Sequence, residues 1–367
     1  MRIVEMVNTL EIGGTERLVV DLASELKAKG HQVSVVCLRG GGPLAQQLDR
    51  VAIDIDLLKK PEGPALRTLF RLISYLRKNR VDVVHSHNPL VHHYAVVAGR
   101  IAGVPVIVNT IHGPGNLSVP AGLKEFLYGA MCHWSDSIVA VCPTAFRTFH
   151  SQKIIPTKKL TTINNGIPLN GYLESIARER DTDIVFGIVG RLAKVKDHRT
   201  LLSAFSVLRK SRPDCRLEIL GDGPLRSELE IQTKDLDLAD YVTFHGHSAD
   251  VRGFLRHVDI AVLCSVSEGL PLSILEAMAS GLPVIGTDVG ETRSLIESAD
   301  AGWSCPPSRH DLLANAMLLA ANCSIDDRNA MGWRGRSFVV ANYSLQEMTS
   351  GYENLFSGLL TSKQKSL

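Results

Sequence analysis

The sequence predicts an α/β fold made of two doubly wound domains, each built on a Rossmann-like parallel sheet. Short β-branched runs alternate with longer helical patterns through almost all of the 367 residues, which is typical of β-α units. The strand candidate at 260–264 is apolar at every position, so both faces of its sheet are expected to be covered by helices. The chain is also long for one hydrophobic core, which favours two domains.

The predicted elements follow one another in a regular order through the first half. Each strand candidate is a short apolar run rich in branched residues, and each helix candidate is a longer segment between strands. The predicted strands are 2–7, 31–38, 51–58, 81–86, 105–110 and 137–142. The predicted helices are 15–29, 64–80, 90–102, 121–134 and 144–152.

The second half repeats this order after a break. Turn and charged residues at 168–182 precede a new strand, so the domains are expected to span 1–168 and 180–344. Pro271 suits the first turn of a helix because it has no amide to leave unpaired, and Gly281 is expected to end that helix. The predicted strands are 183–189, 215–220, 241–245, 259–264 and 283–287. The predicted helices are 197–210, 223–236, 271–280 and 308–321.

Composition and charge limit the class of protein. Hydrophobic residues make up 45% of the chain and charged residues 21%, as in an ordinary globular protein. The formal net charge of +2 indicates no nucleic-acid partner. The charge is unevenly divided, because residues 1–170 carry a net +7 and residues 171–367 a net −5. The first half is therefore the basic one.

Cysteine usage and the start of the chain predict a cytoplasmic protein. The seven cysteines form no C-x-x-C pair, which indicates reduced thiols rather than disulfides or a metal site. Met1 leads directly into the first strand, so no signal peptide is expected. Residues 101–123 lack Asp, Glu, Lys and Arg, but three prolines and four glycines there favour strand and loop over a membrane span.

Two glutamates near residue 270 form the most informative motif. Glu268 precedes the helix predicted from Pro271, and Glu276 lies about one turn inside it, with its side chain leaning back toward the helix start. The free amides and positive dipole end of such a helix form an anion site. A diphosphate at that point, between two carboxylates that accept hydrogen bonds from sugar hydroxyls, makes this a candidate sugar-nucleotide site.

Cations follow the first strand of the second half. Gly190 and Arg191 come directly after that strand, and Lys196 precedes the next helix. At a strand-to-helix corner they are placed to hold a diphosphate, with Arg191 as a bidentate fork and Lys196 as a point charge. Solvated surface charge is the alternative, and Asp197 is a candidate cap of the following helix.

Glycine turns follow several of the predicted strands. Gly13 and Gly14 let the backbone approach a ligand, with Thr15 as a helix cap, although an ordinary turn explains them equally well. They do not form G-x-G-x-x-G, which argues against a nicotinamide or flavin cofactor. Gly221 begins a similar turn. His247 follows the next strand, where backbone amides could contact a nucleobase, but a structural role is the simpler explanation.

The histidines of the first half allow several interpretations. His112 ends a strand, so a structural hydrogen bond and contact with a ligand are both open. His85 and His87 share one strand face, whereas His92 and His93 fall on a separate helix. With no acidic or cysteine partner in that run, no zinc site is predicted. None of the three Asp-x-Asp triplets follows a strand beside a glycine turn, so a metal-bound diphosphate is not expected either.

The helix candidate at 66–80 is basic and amphipathic. Arginines and a lysine alternate with leucine and phenylalanine along it. Such a helix can lie on anionic lipid or simply pack its apolar side on a sheet, and the sequence leaves both open. The first alternative predicts peripheral contact with the inner face of the plasma membrane.

Taken together, these motifs resemble glycosyltransferase family 4, in the same order along nearly the whole chain. The strongest element is E-x7-E, formed by Glu268 and Glu276, with Arg191 and Lys196 upstream. The other matching segments are 13–14, 109–113, 165–166, 190–191 and 221–223. The family implies a retaining, metal-independent hexosyltransferase of the GT-B fold, with its active site in an interdomain cleft. It also implies a final helix, at about 345–367, that packs on the first domain.

The resemblance implies roles for individual residues. Arg191 and Lys196 would stabilise the leaving diphosphate, and Glu276 would bind the ribose hydroxyls. Glu268 would hold the donor sugar, and His112 would contact its 6-position. The donor-binding positions are Gly14, Gly190, Gly221, His247, Gly269, Leu270, Leu272 and Glu276. A front-face mechanism, in which the departing phosphate takes the proton of the acceptor hydroxyl, is commonly proposed for the family.

The function predicted from the sequence is transfer of a sugar from a nucleotide sugar, expected to be UDP-linked, to a glycan or lipid-linked acceptor in bacterial surface polysaccharide synthesis. Lipopolysaccharide and exopolysaccharide are the products considered, and no metal or cofactor is expected. A non-hydrolysing sugar-nucleotide epimerase shares the fold and is the first alternative. The second is a non-catalytic sugar-nucleotide-binding subunit, against which the intact cations and glutamates argue. The acceptor loops are expected at 39–44 and 113–122.

Overall fold

The protein consists of two parallel α/β sheets in two compact parts of the chain. The structure, a computed structural model, describes residues 1–62, 65–112, 123–172, 183–248 and 250–365. The first unit comprises Met1–Pro168 together with Leu345–Leu367, and the second comprises Leu169–Ser344. Most of the predicted boundary segment and the predicted acceptor loop at 113–122 lie outside the described residues.

The first unit is a seven-stranded sheet in the order β3-β2-β1-β4-β5-β6-β7, with every neighbouring pair parallel. The strands are β1 (Arg2–Val7), β2 (Gln32–Cys37), β3 (Asp54–Leu57), β4 (Val83–His87), β5 (Val106–Ile111), β6 (Ser137–Ala140) and β7 (Leu160–Thr162). The helices are α1 (Gly14–Ala28), α2 (Ala45–Arg50), α3 (Leu66–Lys78), α4 (Pro89–Ala102), α5 (Leu123–Trp134) and α6 (Pro143–Gln152). The order reverses at β1, as in a doubly wound sheet.

Both faces of this sheet are buried along its central strands β1, β4, β5 and β6, whereas the edge strand β3 is partly exposed. Alternate residues of β1 point to opposite faces, so Val4 and Met6 join one core cluster while Val7 joins another. Glu5 is the exception, because it is charged and fully buried on the face of Val7. A carboxylate in that position needs hydrogen-bond donors to offset the loss of water.

The second unit is a six-stranded parallel sheet in the order β10-β9-β8-β11-β12-β13. Its strands are β8 (Ile184–Val189), β9 (Cys215–Leu220), β10 (Val242–Gly246), β11 (Ile260–Leu263), β12 (Val284–Thr287) and β13 (Gly302–Cys305). Its helices are α7 (His198–Ser211), α8 (Arg226–Asp235), α9 (Val251–Arg256), α10 (Leu272–Ala279), α11 (Thr292–Ala299), α12 (His310–Asn322) and α13 (Ile325–Asn342). The last helix of the chain, α14 (Leu345–Gln364), belongs to the first unit.

Several elements, most of them short, were not predicted from the sequence. They are the strands β7 and β13 and the helices α2, α9, α11 and α13. The long helix α13 was missed because its glycines lower helix propensity. Packing explains one of these glycines, because a Cβ at Gly332 would lie 1.9 Å from the Gly281 carbonyl oxygen. Helix α13 therefore approaches the end of α10 through a glycine.

Two local features of the helices also bear on the predictions. Helix α1 begins at Gly14 with Gly13 in the cap position, so the prediction that Thr15 caps this helix is wrong. Asp197 occupies the cap position of α7 as predicted, but its carboxylate accepts from the Thr200 hydroxyl at 2.8 Å instead of from a backbone amide. Among the helices described, none is both long enough and apolar enough to cross a membrane.

Candidate functional site

The predicted donor motifs of the second unit meet where its strand order reverses. Strands β8 and β11 are neighbours there, with Gly190 directly after β8 and the segment from Cys264 to Glu268 directly after β11. In doubly wound sheets ligands bind outside the carboxyl ends of the strands at this point. The topology therefore brings together two motifs that are far apart in sequence.

An ion pair joins these two strand ends. Lys196 Nζ donates to Glu268 Oε1 at 2.6 Å, and the Ser265 hydroxyl donates to the same oxygen at 2.6 Å. The backbone supports the pair, because the Val266 amide donates to the Val195 carbonyl at 2.8 Å. The cation predicted for the diphosphate and the carboxylate predicted for the donor sugar thus lie in direct contact.

The second glutamate has a different environment. Helix α10 begins at Leu272, one residue after the predicted start at 271, so Pro271 occupies the cap position and not the first turn. Glu276 is buried one turn into that helix and accepts a hydrogen bond from the Tyr172 hydroxyl at 3.0 Å. The Arg252 guanidinium lies 4.7 Å from the centre of the Tyr172 ring. Glu276 therefore accepts from an aromatic hydroxyl, whereas Glu268 accepts from Lys196 and Ser265.

The loop that carries Glu268 is fixed by close backbone packing. Gly290 has a φ of +56°, and a Cβ there would lie 2.4 Å from the carbonyl oxygens of both Glu268 and Gly269. The Glu291 amide donates to the Gly269 carbonyl at 2.9 Å. Leu270 is buried beside this contact. The loop is thus positioned by a glycine that follows β12.

The glycine turns after β8, β9 and β10 pack on one another. A Cβ at Gly221, whose φ is +148°, would lie 1.9 Å from the Gly190 carbonyl oxygen. The Gly221 amide donates to the Gly246 carbonyl at 2.8 Å. At Gly221 the absence of a side chain is therefore required for packing, whether or not a ligand also approaches. His247 follows this cluster and is exposed.

Arg191 differs from the other predicted cation. Its side chain is exposed, directly after Gly190, and within the described ranges no hydrogen bond or ion pair is found for it. Lys196, by contrast, is mostly buried in its pair, with 22% of its side chain exposed. The Arg191 guanidinium is thus available to an anion. Lys196 would have to leave the Glu268 carboxylate before it could bind one.

In the first unit the predicted residues lie on separate strand ends. Gly14 is exposed at the start of α1, after β1. His112 follows β5 and is half-buried, with its Nε2 2.9 Å from His87 Nδ1. His87 in turn reaches Glu5, with 2.8 Å between Nε2 and Oε2. A structural hydrogen bond and an approach to a ligand are therefore compatible roles for His112.

The buried groups around His112 have shifted pKa values. Burial would raise the pKa of Glu5, but the neighbouring charge of His85 and hydrogen bonds from both imidazoles lower it to about 2. Burial and the nearby His85 lower the pKa of His87 to about 4. Burial and the neighbouring His87 hold the pKa of His112 well below its usual range. At neutral pH the cluster therefore combines an ionised carboxylate with neutral rings at His87 and His112.

An acidic residue from outside the run 85–93 accompanies the strand histidines. Glu5, from the neighbouring strand β1, lies between His85 and His87, and their potential ligand atoms all fall within 4.8 Å of one another. His92 is separate, because its ring nitrogens contact the Ser86 and Ser135 hydroxyls at 3.0 and 2.9 Å. As predicted, it lies on a helix and not on the strand.

Four contributing residues were missed in the sequence, and the signals for them differ. Ser265 lies three residues before Glu268, where a hydroxyl after a strand could have been noticed. Glu5 interrupts an apolar strand, and a lone charge in such a strand indicates a buried partner. Tyr172 and Gly290 carry no local signal, because their partners are set only by the fold.

Comparison with known proteins agrees with the motifs. Residues 12–170 match the family described as Glycosyltransferase Family 4, and residues 174–338 match Glycosyl transferases group 1. An Escherichia coli UDP-Gal:alpha-D-GlcNAc-diphosphoundecaprenol alpha-1,3-galactosyltransferase is 24% identical, covering 96% of this chain and 95% of its own length. The N-acetyl-alpha-D-glucosaminyl L-malate synthase of Bacillus anthracis is also 24% identical, covering 95% of each chain. The crystal structure of Anabaena HepE with UDP and glucose superposes with a TM-score of 0.86 at 18% identity, covering 98% of this chain and all of the other.

These matches define the class of protein. The fold is GT-B, with two parallel α/β sheets of seven and six strands. The two family matches together span nearly the whole chain, so the protein belongs to glycosyltransferase family 4. It is accordingly a glycosyltransferase that acts on nucleotide sugars.

Proposed function

We propose that the protein is a retaining, metal-independent hexosyltransferase that moves a sugar from a UDP-linked donor to a lipid-linked glycan in bacterial surface polysaccharide synthesis. The observation that carries this proposal is the arrangement of Lys196, Glu268 and Glu276 around the start of α10. A cation, two carboxylates and free helix amides are the groups that a nucleotide sugar requires.

Each of these groups has a role in the proposed reaction. Arg191 and Lys196 stabilise the charge that develops on the departing diphosphate, which lowers the barrier to cleavage of the glycosidic bond. Glu268 binds hydroxyls of the donor sugar, and Glu276 binds those of the ribose. A carboxylate at the ribose is too far from the anomeric carbon to act as a nucleophile. Retention by a front-face route, with the leaving phosphate accepting the acceptor proton, is therefore favoured over a double displacement.

The donor and acceptor classes are supported by the relatives. The E. coli relative uses UDP-Gal and a GlcNAc-diphosphoundecaprenol acceptor, and it covers nearly all of this chain. A diphosphate-linked lipid also suits the excess of basic residues in 1–170. We therefore assign UDP-hexose as the donor and an undecaprenol-diphosphate glycan as the acceptor class.

Thermal stabilisation identifies the donor. A ligand that binds only the folded protein raises its Tm, so UDP-hexoses are expected to stabilise the protein more than GDP- or ADP-hexoses. The preferred donor is then incubated with and without undecaprenyl-diphosphate-GlcNAc, with EDTA present throughout. Acceptor-dependent release of UDP and an α-linked product, seen by NMR, are expected. Conversion of the donor to a new UDP-sugar without acceptor would instead indicate an epimerase.

Helix α3 supports a peripheral membrane contact. Its inner side packs Leu72 and Leu76 into the core, while Leu66 and Phe70 are 70% and 68% exposed. These two side chains are four residues apart, so they lie on one face of the helix, next to the exposed Arg71. The helix therefore packs on the sheet and also presents apolar and cationic groups outward, as interfacial helices do.

Vesicle flotation tests this contact. The protein is expected to bind vesicles containing phosphatidylglycerol and to lose binding in the double variant Leu66→Ser, Phe70→Ser. The matched control is Ile231→Ser, which removes a side chain of the second unit that is 59% exposed. Equal binding to purely zwitterionic vesicles, or no effect of the double variant, would exclude α3 as the contact surface.

A further inference from the structure

Two chains of hydrogen bonds converge on the buried carboxylate of Glu5. One runs through His87 to His112, with separations of 2.8 and 2.9 Å. The other runs through His85, whose Nδ1 lies 2.9 Å from Glu5 Oε2 and whose Nε2 lies 2.8 Å from Thr110 Oγ1. It continues to the Tyr352 hydroxyl, 2.9 Å from Thr110 Oγ1. All of these side chains belong to the first unit.

The direction of each hydrogen bond follows from the chemistry of the carboxylate. An ionised carboxylate only accepts, so His87 must be protonated on Nε2. A neutral imidazole with a proton on one nitrogen accepts on the other, so His87 Nδ1 accepts from His112 Nε2. His112 is then protonated on Nε2 and presents the lone pair of Nδ1.

The second chain adds another hydrogen-bond donor to the carboxylate. Glu5 accepts from His85 Nδ1, and the Tyr352 hydroxyl of α14 lies over this branch, with its ring centre 4.8 Å from that of His85. Phe356, one turn further along the same helix, lies 5.5 Å from the His85 ring. Both aromatic side chains are fully buried. Water is thereby excluded from Glu5, which leaves the two imidazoles as its hydrogen-bond donors.

We propose that Glu5 is a positioning residue that sets the tautomer of His112 through His87, so that His112 Nδ1 accepts a hydrogen bond from a hydroxyl of the donor sugar. This inference rests on the proposed function and deepens it, because it makes the site selective for a donor sugar whose hydroxyl can donate to His112 Nδ1. A buried acceptor left without its donor is costly, which is how such a site rejects a sugar lacking the group.

The same histidine nitrogens could also hold a metal ion together with Glu5. In the structure, however, His87 Nε2 and His85 Nδ1 lie at hydrogen-bond distances from Glu5 Oε2, 2.8 and 2.9 Å. A proton on each nitrogen gives the ionised carboxylate two hydrogen bonds. The geometry therefore favours the hydrogen-bonded arrangement over a metal site. Measuring the metal content of the purified protein distinguishes the two.

The tautomer can be measured without any substrate. In protein labelled with ¹⁵N-histidine, at pH 7.5, His112 is expected to show a protonated Nε2 and an unprotonated Nδ1, with its signals assigned through His112→Gln. Glu5→Met keeps the volume but removes the acceptor, so His87 is expected to donate from Nδ1 and His112 to become protonated on Nδ1. The control is His92→Gln. It alters a buried histidine that does not belong to the chain of hydrogen bonds from Glu5 to His112, and it should leave the His112 signals unchanged.

Calorimetry then tests the consequence for the donor. Glu5→Met is expected to weaken binding of a UDP-hexose about tenfold, the scale of one lost hydrogen bond, while leaving UDP alone unchanged. UDP-xylose, which lacks the 6-hydroxymethyl group, should bind both proteins equally. Glu5→Asp retains the carboxylate and is expected to recover part of the lost affinity.

Three outcomes would overturn the inference. The first is the finding that His112 of the wild-type protein is protonated on Nδ1. This measurement does not depend on any variant being able to fold. The second is a stoichiometric transition metal in the purified protein that is absent from Glu5→Met. The third is an equal loss of UDP and UDP-hexose binding in Glu5→Met. If the tautomer is as expected but no nucleotide sugar binds wild-type protein, the proposed donor fails while the role of Glu5 in setting the tautomer stands.

Discussion

At the scale of single residues, the ion pair between Lys196 and Glu268 distinguishes the two cations of the site. A diphosphate that engages Lys196 must replace Glu268, so part of the favourable interaction offsets the loss of the existing pair. Arg191 is exposed and has no such partner among the residues described. Its interaction with a leaving diphosphate therefore carries no comparable cost.

This difference predicts distinct phenotypes for two alanine variants. Arg191→Ala is expected to reduce turnover by about 100-fold, with donor affinity and Tm nearly unchanged, because its charge acts on the developing leaving group. Lys196→Ala is expected to reduce turnover similarly and also to lower the free energy of unfolding by about 1 kcal/mol, since Glu268 loses its cation in a partly exposed site. Steady-state kinetics and urea unfolding measure both effects.

The control is Arg309→Ala, which removes a surface arginine paired with Asp311. It should leave turnover unchanged. An Arg191→Ala enzyme with normal turnover and weakened donor binding would contradict the assignment of that guanidinium to the leaving group.

Contacts between residues far apart in the sequence could not be predicted. Glu268, Glu276, Arg191 and Lys196 could be predicted as site residues because each lies in a short segment whose spacing has a chemical meaning. Tyr172 and Glu276 are separated by 104 residues, and Glu5 and His85 by 80. Such pairs depend on which strands become neighbours, and that order is not written in any local pattern.

Among the elements, most long strands and helices were predicted and most of the missed ones are short, the exception being the long helix α13. The prediction for the first strand, 2–7, coincides with β1, and the one for 271–280 differs from α10 by one residue at each end. Strand β13 contains glycine, serine and cysteine in four residues, and its extended form depends on pairing with β12. Where propensity is weak, tertiary packing decides.

The glycine after β12 allows a prediction about how elements hold the site. Gly290→Ala adds a Cβ 2.4 Å from two carbonyl oxygens of the loop carrying Glu268, at a φ of +56°. We expect a loss of about 2 to 3 kcal/mol in the free energy of unfolding, and a larger relative loss of turnover, because the loop must move. Chemical unfolding and steady-state kinetics measure the two effects.

Gly281→Ala is a matched control for the backbone strain. Its φ of +71° is similarly left-handed, but nothing lies within 4 Å of the added Cβ. Gly281→Ala should lower the free energy of unfolding by only about 1 kcal/mol and leave turnover near the wild-type value. If both variants lose activity equally, the steric contact with the loop is not what positions Glu268.

At the scale of the whole molecule, buried neutral histidines are unevenly distributed. In the first unit, burial lowers the pKa of His87 to about 4 and that of His92 to about 3, and His112 is shifted in the same direction. In the second unit, burial and the charge of Lys196 lower the pKa of His198 to about 4. Neither ring nitrogen of His198 has a hydrogen-bond partner in the part of the chain described.

Acid destabilises the folded protein through these histidines. A histidine that stays neutral in the folded protein still takes up a proton in the unfolded chain below about pH 6.5, so acid favours unfolding. Between pH 7 and pH 5.5 each such group lowers the free energy of unfolding by about 1 kcal/mol. Glu5 adds to this only at lower pH, because its contribution is present above about pH 4.5 and is lost as the pH falls toward its folded pKa of about 2.

The first unit should therefore lose more stability than the second on mild acidification. In hydrogen exchange followed by mass spectrometry, corrected for the intrinsic pH dependence of exchange, peptides from β4 and β5 are expected to lose more protection between pH 7 and pH 5.5 than peptides from β8 and β11. His92→Gln should reduce that loss by about 1 kcal/mol in the first unit alone, since it removes one of the groups that protonate on unfolding. His198→Gln should do the same for the second unit. Loss of protection first in β8 and β11, or an acid response that His92→Gln leaves unchanged, would show that these histidines do not govern the acid stability of the fold.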